Sequence, residues 1–189
     1  MDHPVRVRKS ATYEDLAALP PGVKGEILDG VLYTQPRPRA HHSRIEGMVY
    51  GDVWSHFDRK RRGSDGWWII VEPGIELPRA REFSPDVAGW RKSNLPTLPG
   101  PGEPFRTVPD WICEVLSPSN RNYDTRTKRR FYAEIGVPYL WYIDPEARTL
   151  VVSRLYEGRW LELGAFGDDE LVRAEPFEEL EIDLNAWWP

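Results

Sequence analysis

Asp110-Trp-Ile-Cys-Glu-Val-Leu-Ser-Pro-Ser119 sets one carboxylate, Glu114, in the middle of an otherwise apolar run. Pro109 and Pro118 bound the run, and its β-branched and aromatic residues predict a buried strand. An ionised carboxylate in such a strand is costly unless a cation or hydrogen bonds compensate it, so Glu114 needs a partner. Upstream, Phe83-Ser-Pro-Asp-Val-Ala-Gly-Trp90 repeats the device with Asp86, and downstream Asp124-Thr-Arg-Thr-Lys128 supplies a cation. Two acids and a lysine form a candidate metal site. Strand alternation points Cys113 to the face opposite Glu114, as a small buried hydrophobe with no catalytic role.

Around this run the periodicity predicts an α/β chain. Thr12-Tyr-Glu-Asp15 reads as a capping box opening a short helix through Leu19, stopped by Pro20-Pro21-Gly22. Glu26-Ile-Leu-Asp-Gly-Val-Leu-Tyr33 carries a central Asp-Gly and predicts a tight hairpin or bend. From His42 to Phe57, Ile45, Val49, Val53 and Phe57 recur every four residues, widened by Met48 and Trp54, which predicts an amphipathic helix covering one sheet face. Trp67–Val71, Gly74–Leu77, Asp86–Trp90 and Trp111–Leu116 are four strand candidates, expected to form one core sheet. The segment 94–104 holds four prolines and two glycines and must be a surface loop. A second helix is expected from Tyr123 to Ile135, capped by Gly136. Strands follow at Tyr139–Ile143, Thr149–Leu155 and Arg159–Leu163, and the acidic tail with Trp187 and Trp188 is expected to pack back onto the domain or a partner.

At 189 residues the length calls for one domain, 1–189. With 29% charged residues, no apolar run near the roughly 20 residues that span a bilayer, and no apolar core in the N-terminal segment, the chain is expected to avoid membranes and stay in the cytoplasm. One cysteine excludes a disulfide framework. The net charge of −5 excludes binding of nucleic acid by bulk electrostatics, so any phosphate contact must be local. Two basic clusters could provide it. Arg59-Lys-Arg-Arg62 reads first as a solvated helix end, whereas Arg121, Arg126, Lys128, Arg129 and Arg130 gather beside the second carboxylate.

Magnesium takes hard oxygen ligands and keeps several waters, so one or two carboxylates plus substrate phosphate oxygens suffice. Asp86 and Glu114 meet that need if their strands are neighbours, with the proline loop absorbing the separation. Lys128 would then stabilise charge developing in a transition state. Asp124, Lys128 and Tyr132 lie four apart on one helix face, offset from Thr127, Phe131 and Ile135. The alternative makes Asp86 a turn acid, Glu114 the buried partner of an arginine, and Lys128 a salt-bridge donor to Asp124.

Ser84-Pro-Asp86, Trp111-Ile-Cys-Glu-Val-Leu-Ser-Pro-Ser119, Asp124-Thr-Arg-Thr-Lys-Arg-Arg-Phe-Tyr132 and Gly136-Val-Pro-Tyr-Leu-Trp-Tyr-Ile-Asp-Pro145 resemble the bacterial restriction endonucleases of the Uma-two type, in the PD-(D/E)XK nuclease superfamily. The likeness also takes in Gly25-Glu-Ile-Leu-Asp-Gly-Val-Leu32 and His41-His42. It implies a restriction-endonuclease-like fold, a central mixed sheet flanked by helices with additional hairpins, and hydrolysis of a nucleic-acid phosphodiester, DNA first, with Mg2+ or Mn2+ in its place. By matched position Asp86 and Glu114 are the metal ligands and Lys128 the active-site lysine. Position 116 departs from the superfamily's arrangement, being Leu where a lysine is usual, and Lys128 supplies the charge from the following helix.

Four residues are expected to support the site. Glu26 reads as a further ligand, a supporting acid or an exposed strand acid; His42 as a helix cap rather than a catalytic group; Asp124 as a partner of Lys128; Tyr132 as orienting Lys128, touching phosphate, or simply packed. Arg121, Arg126 and Arg129 are the expected phosphate contacts. A homodimer follows as an expectation from the need to cut two strands. Two readings compete: an inactive nucleic-acid-binding or protein-interaction domain that keeps the fold, and a scaffold acting through its Trp-rich tail.

Overall fold

The computed structural model describes residues 5–37, 40–59 and 65–189; Lys60, Arg61 and Arg62 of the first basic cluster lie outside them. Strand β1 (Val5–Lys9) leads to helix α1 (Tyr13–Ala17), whose Asp15 carboxylate accepts the Thr12 N–H at 2.8 Å, the reciprocal bond of a capping box. Strands β2 (Val23–Leu28) and β3 (Val31–Pro36) form the hairpin expected of Asp29-Gly30. Both turn residues have positive φ, 49° and 73°, the requirement of a type I′ turn that Asp-Gly meets at little cost.

Helix α2 (Ala40–Val53) runs on through a π-helical turn (Trp54–Asp58), so the apolar stripe stays continuous to Phe57. Then come β4 (Trp67–Val71), β5 (Ile75–Leu77), β6 (Ala80–Phe83), β7 (Val87–Arg91) and β8 (Trp111–Val115). They divide between two sheets. The six-stranded sheet, which also takes β9 (Tyr139–Asp144), β10 (Thr149–Tyr156) and β11 (Arg159–Gly167), has the order β11-β10-β9-β8-β7-β4. A five-stranded sheet has the order β1-β3-β2-β6-β5. A short pair, β12 (Leu171–Val172) with β13 (Ile182–Asp183), stands apart.

The expectation of one core sheet is thereby corrected. Glu72, at a φ of 43°, turns the chain out of β4, and Ile75 and Leu77 pair with Phe83 and Ala80 of β6 instead. Strand β4 finds its partner in β7. Among the described strands only the pair β8 and β9 runs parallel, and a parallel pair needs a long crossover; a π-helical turn (Tyr123–Lys128) and helix α3 (Arg129–Ile135) supply it. Gly136, at a φ of 84°, closes α3 as the left-handed cap.

The pleat of β8 sorts the core. Trp111, Cys113 and Val115 pack with Ile45, Val49 and Val53 of α2, while Ile112 faces Phe131 and Tyr132 of α3 and Phe83 of the smaller sheet. The tail seals the α2 side. Trp187 is wholly buried with its indole N–H on Asp52 at 2.8 Å, and the Trp188 indole donates to the Asp168 carbonyl. Of the two expectations for the tail, the packing is onto the domain: both indoles belong to this chain's own core. The segment 94–104 is irregular and largely exposed, as its prolines require. Among the described residues no helix is long and apolar enough to cross a membrane.

Candidate functional site

The register of β7 on β8 fixes the two acids. Val87 pairs with Cys113, so Asp86, one residue before β7, lies against the C-terminal end of β8 and accepts the Val115 N–H at 2.8 Å. Glu114 lies in that same end of β8 and points to the face opposite Cys113, toward α3. Both side chains are buried, Asp86 at 5% exposure and Glu114 at 1%.

The crossover delivers the cation. Lys128 Nζ, 1% exposed, lies 3.0 Å from Glu114 Oε1, 3.3 Å from Glu26 Oε2 and 3.6 Å from Asp124 Oδ1. The Tyr132 hydroxyl donates to the same Glu114 oxygen. Asp124, Lys128 and Tyr132 thus converge as their four-residue spacing predicts, and Glu114 has a lysine partner where an arginine was the alternative. Glu26 is not an exposed strand acid: it is 1% exposed, and its Oε1 accepts the Ser84 N–H at 2.8 Å.

His42 corrects a second expectation. It is the third residue of α2, and its side chain is turned to the acids: its Nε2 meets Asp86 Oδ2 at 3.1 Å, and its Nδ1 lies 3.9 Å from Glu46 Oε2 one turn on. The sequence reading passed over Glu46, although its place four residues after His42 on one helix face was the available signal. It also passed over Lys24, two residues before Glu26 on β2, which pairs with Glu72 at 3.0 Å.

Burial and charge divide the acids. Burial pushes Asp86 up, but the hydrogen bond and charge of His42, with Lys24 and Lys128, hold it down at about 2. Burial raises Glu114 to about 7, aided by Asp86 and Glu26 against Lys128. Asp124 is driven well above the carboxylate range by burial. Burial works against the charge on Lys128, but Glu114 and Glu26 keep its ammonium well above the ordinary lysine value.

Glu46 carries a pH dependence of its own. Burial and the charges of Asp86 and Glu72 raise it to about 7 from 4.5. A carboxyl whose folded value is raised costs stability once it ionises, so the penalty grows from about pH 4.5 and is complete above about pH 7. Glu46→Gln is therefore expected to stabilise the metal-free protein by about 1 to 2 kcal/mol at pH 8 and by almost nothing at pH 4.5. Urea unfolding at the two pH values measures this; equal shifts at both would refute it.

Of the site's acids Asp86 opens on a cleft of about 580 Å³, lined also by Lys24, Arg37, His42, Ser117 and Asn120, while Glu114 and Lys128 lie behind it. Of the three expected phosphate contacts, Arg121 pairs with Asp144 at 2.6 Å and Glu146 at 3.7 Å, and Glu146 stands on the cleft wall. Arg126 is exposed, and Arg129 stands over Tyr142 and Trp160; neither lines the cleft.

The donor set fits a hard divalent cation. Among the described residues, hydrogen bonds and ion pairs engage Oε1 of Glu114 and Oδ2 of Asp86, leaving one oxygen of each carboxylate uncommitted. Neither Asp124 oxygen, both buried, has a hydrogen-bond partner. Among the described residues no three His, Cys, Asp or Glu side chains are arranged as a complete metal cage. Two carboxylates and outside oxygens are a set that suits magnesium, which keeps several waters and needs only one or two protein carboxylates.

Comparison with known proteins adds the following. The family model Uma2, described as "Putative restriction endonuclease", matches residues 10–185. Among solved structures, a "putative nuclease belonging to DUF820" from Anabaena variabilis ATCC 29413 is similar, with a TM-score of 0.69 and 24% identity over 86% of this chain and 90% of that one. That likeness shows a shared fold. No curated protein matches.

Proposed function

The chain belongs to the Uma2 family, and from that premise we propose that it is a divalent-metal-dependent endonuclease hydrolysing phosphodiester bonds in nucleic acid, DNA first. The observation that carries this reading is the buried ammonium of Lys128, held at 3.0 Å from Glu114 beside an Asp86 that faces the cleft. Burying three carboxylates around one lysine is a poor way to stabilise a core, since desolvation offsets most of the attraction. It is a good way to fix charges that a reaction needs.

Asp86 and Glu114 would hold Mg2+, or Mn2+ in its place, which supplies polarisation of the phosphate and a more acidic water. His42 and the Val115 N–H fix one oxygen of Asp86 and so aim the other. Tyr132 and Lys128 do the same for Glu114. Lys128 lends a permanent positive charge to the oxygens that gain negative charge as the phosphodiester is attacked. Where both strands of a duplex are cut, a homodimer would bring one such site to each.

The test is cleavage of supercoiled, linear and single-stranded DNA in Mg2+ or Mn2+ against EDTA, with Glu114→Gln purified in parallel. Metal-dependent cleavage that falls by about 100-fold or more in Glu114→Gln, a few kcal/mol of lost transition-state stabilisation, is expected. A rate unchanged by Glu114→Gln would sink the assignment. The second reading, an inactive binding domain, has one observation in its favour: Lys128 and Tyr132 already satisfy one Glu114 oxygen without metal. Absence of cleavage together with absence of metal binding would favour it.

A further inference from the structure

The depth of the acids bears on what can reach them. Asp86, Glu114 and Lys128 are 5%, 1% and 1% exposed, so a scissile phosphate must enter the cleft and cannot be met at the surface. The cleft is walled by separate pieces of chain, among them Lys24 of β2, Gln35 to Arg37 at the end of β3, the start of α2 at His41 and His42, the turn from Leu116 to Asn120, and Pro145 with the acidic Glu146. Its volume of about 580 Å³ is that of a site enclosing a small molecule. A duplex is a stiff rod with a persistence length of about 50 nm, so turning one phosphate inward costs deformation energy that a flexible single strand does not incur.

The chemistry of the walls suits one strand. Lys24 lines the cleft on the strand that carries Glu26, and exposed Arg37 stands at its mouth. Leu116, Pro36 and Pro118 give apolar surface for a base or sugar, and Ser117 and Asn120 give polar groups. A basic track beside apolar walls is how single-strand sites hold a backbone. Resting on the nuclease reading above, we infer that the cleft admits a single strand of nucleic acid, with Lys24 and Arg37 holding the phosphates next to the one at Asp86. Unpaired DNA is then the preferred substrate, and duplex is cut only where it frays.

The test is binding, which is independent of turnover. Fluorescence anisotropy of a labelled DNA oligonucleotide, alone and annealed to its complement, is measured with the full chain in EDTA and in Ca2+. The single strand is expected to bind at least about 10-fold more tightly than the duplex, and Arg37→Glu to weaken that binding by about 10-fold with a shallower salt dependence. Lys24→Gln is expected to act likewise; because Lys24 also pairs with Glu72, the exposed Arg37 keeps the test valid if that variant unfolds. Duplex binding as tight as single-strand binding, no binding of either, or single-strand binding indifferent to Arg37→Glu would each overturn the inference. Tight single-strand binding without cleavage in Mn2+ would support it while the nuclease reading fails.

Discussion

Replacing Lys128 with methionine is expected to lower the unfolding free energy by about 4 to 5 kcal/mol at pH 7, the upper range for breaking a buried ion pair. Methionine keeps most of the side-chain volume, so little of this loss is a cavity. The cost comes from what stays behind: Glu114 and Glu26, both buried, lose the cation that lies 3.0 and 3.3 Å from them. The sign with pH follows. Without Lys128, Glu114 ionises still less readily, and an acid with a raised folded value is more stable when protonated, so the deficit should shrink from pH 8 toward pH 5. Adding Glu26→Gln to Lys128→Met should restore part of the loss, with a coupling of about 1 to 3 kcal/mol, because it removes one stranded charge. Urea unfolding in EDTA reads all of this. A loss below about 1 kcal/mol for Lys128→Met at pH 7 would mean that the ion pairs of Lys128 carry no weight.

Sequence reasoning reached the site where its geometry is local and stopped where it is not. The Asp29-Gly30 turn, the Gly136 cap and the convergence of Asp124, Lys128 and Tyr132 depend on spacings of one to four residues, and the structure has each of them. The pleat placed Cys113 opposite Glu114 for the same reason. Strand β5 was assigned to the wrong sheet because sequence order says nothing about the turn at Glu72 that sends the chain elsewhere. Strand β6 was unread because Ala80-Arg-Glu-Phe83 has neither alternation nor an apolar run. Within the site, Asp86, Glu114 and Lys128 were legible as unusual charges in apolar settings, but Lys24 looks like any surface lysine. It becomes a cleft residue only when β2 and α2 meet around Asp86. His42 was misread as a cap because a histidine near a helix start has a local explanation, whereas its partner is 44 positions away.

Asp86→Asn is expected to reduce metal-dependent cleavage by about 1,000-fold or more, the several kcal/mol that a correctly held cation contributes, and to abolish Mn2+ binding measured by calorimetry. The substitution keeps an acceptor for the Val115 N–H, which is 2.8 Å away, so the end of β8 should stay closed and circular dichroism should be unchanged. What it removes is the charge that burial resists and that His42, Lys24 and Lys128 sustain. His42→Gln supplies the graded comparison. It leaves the Asp86 carboxylate in place and removes the contact at 3.1 Å that orients it, and a partner of this kind is worth about 10- to 100-fold in metal affinity. Affinity and rate should therefore fall in the order wild type, His42→Gln, Asp86→Asn. If Asp86→Asn bound Mn2+ as the wild type does, the uncommitted oxygen of Asp86 would not be a ligand, and the charges gathered behind Glu114 would need another purpose than catalysis. If His42→Gln fell as far as Asp86→Asn, the imidazole would act in the reaction itself and not through the acid that it holds.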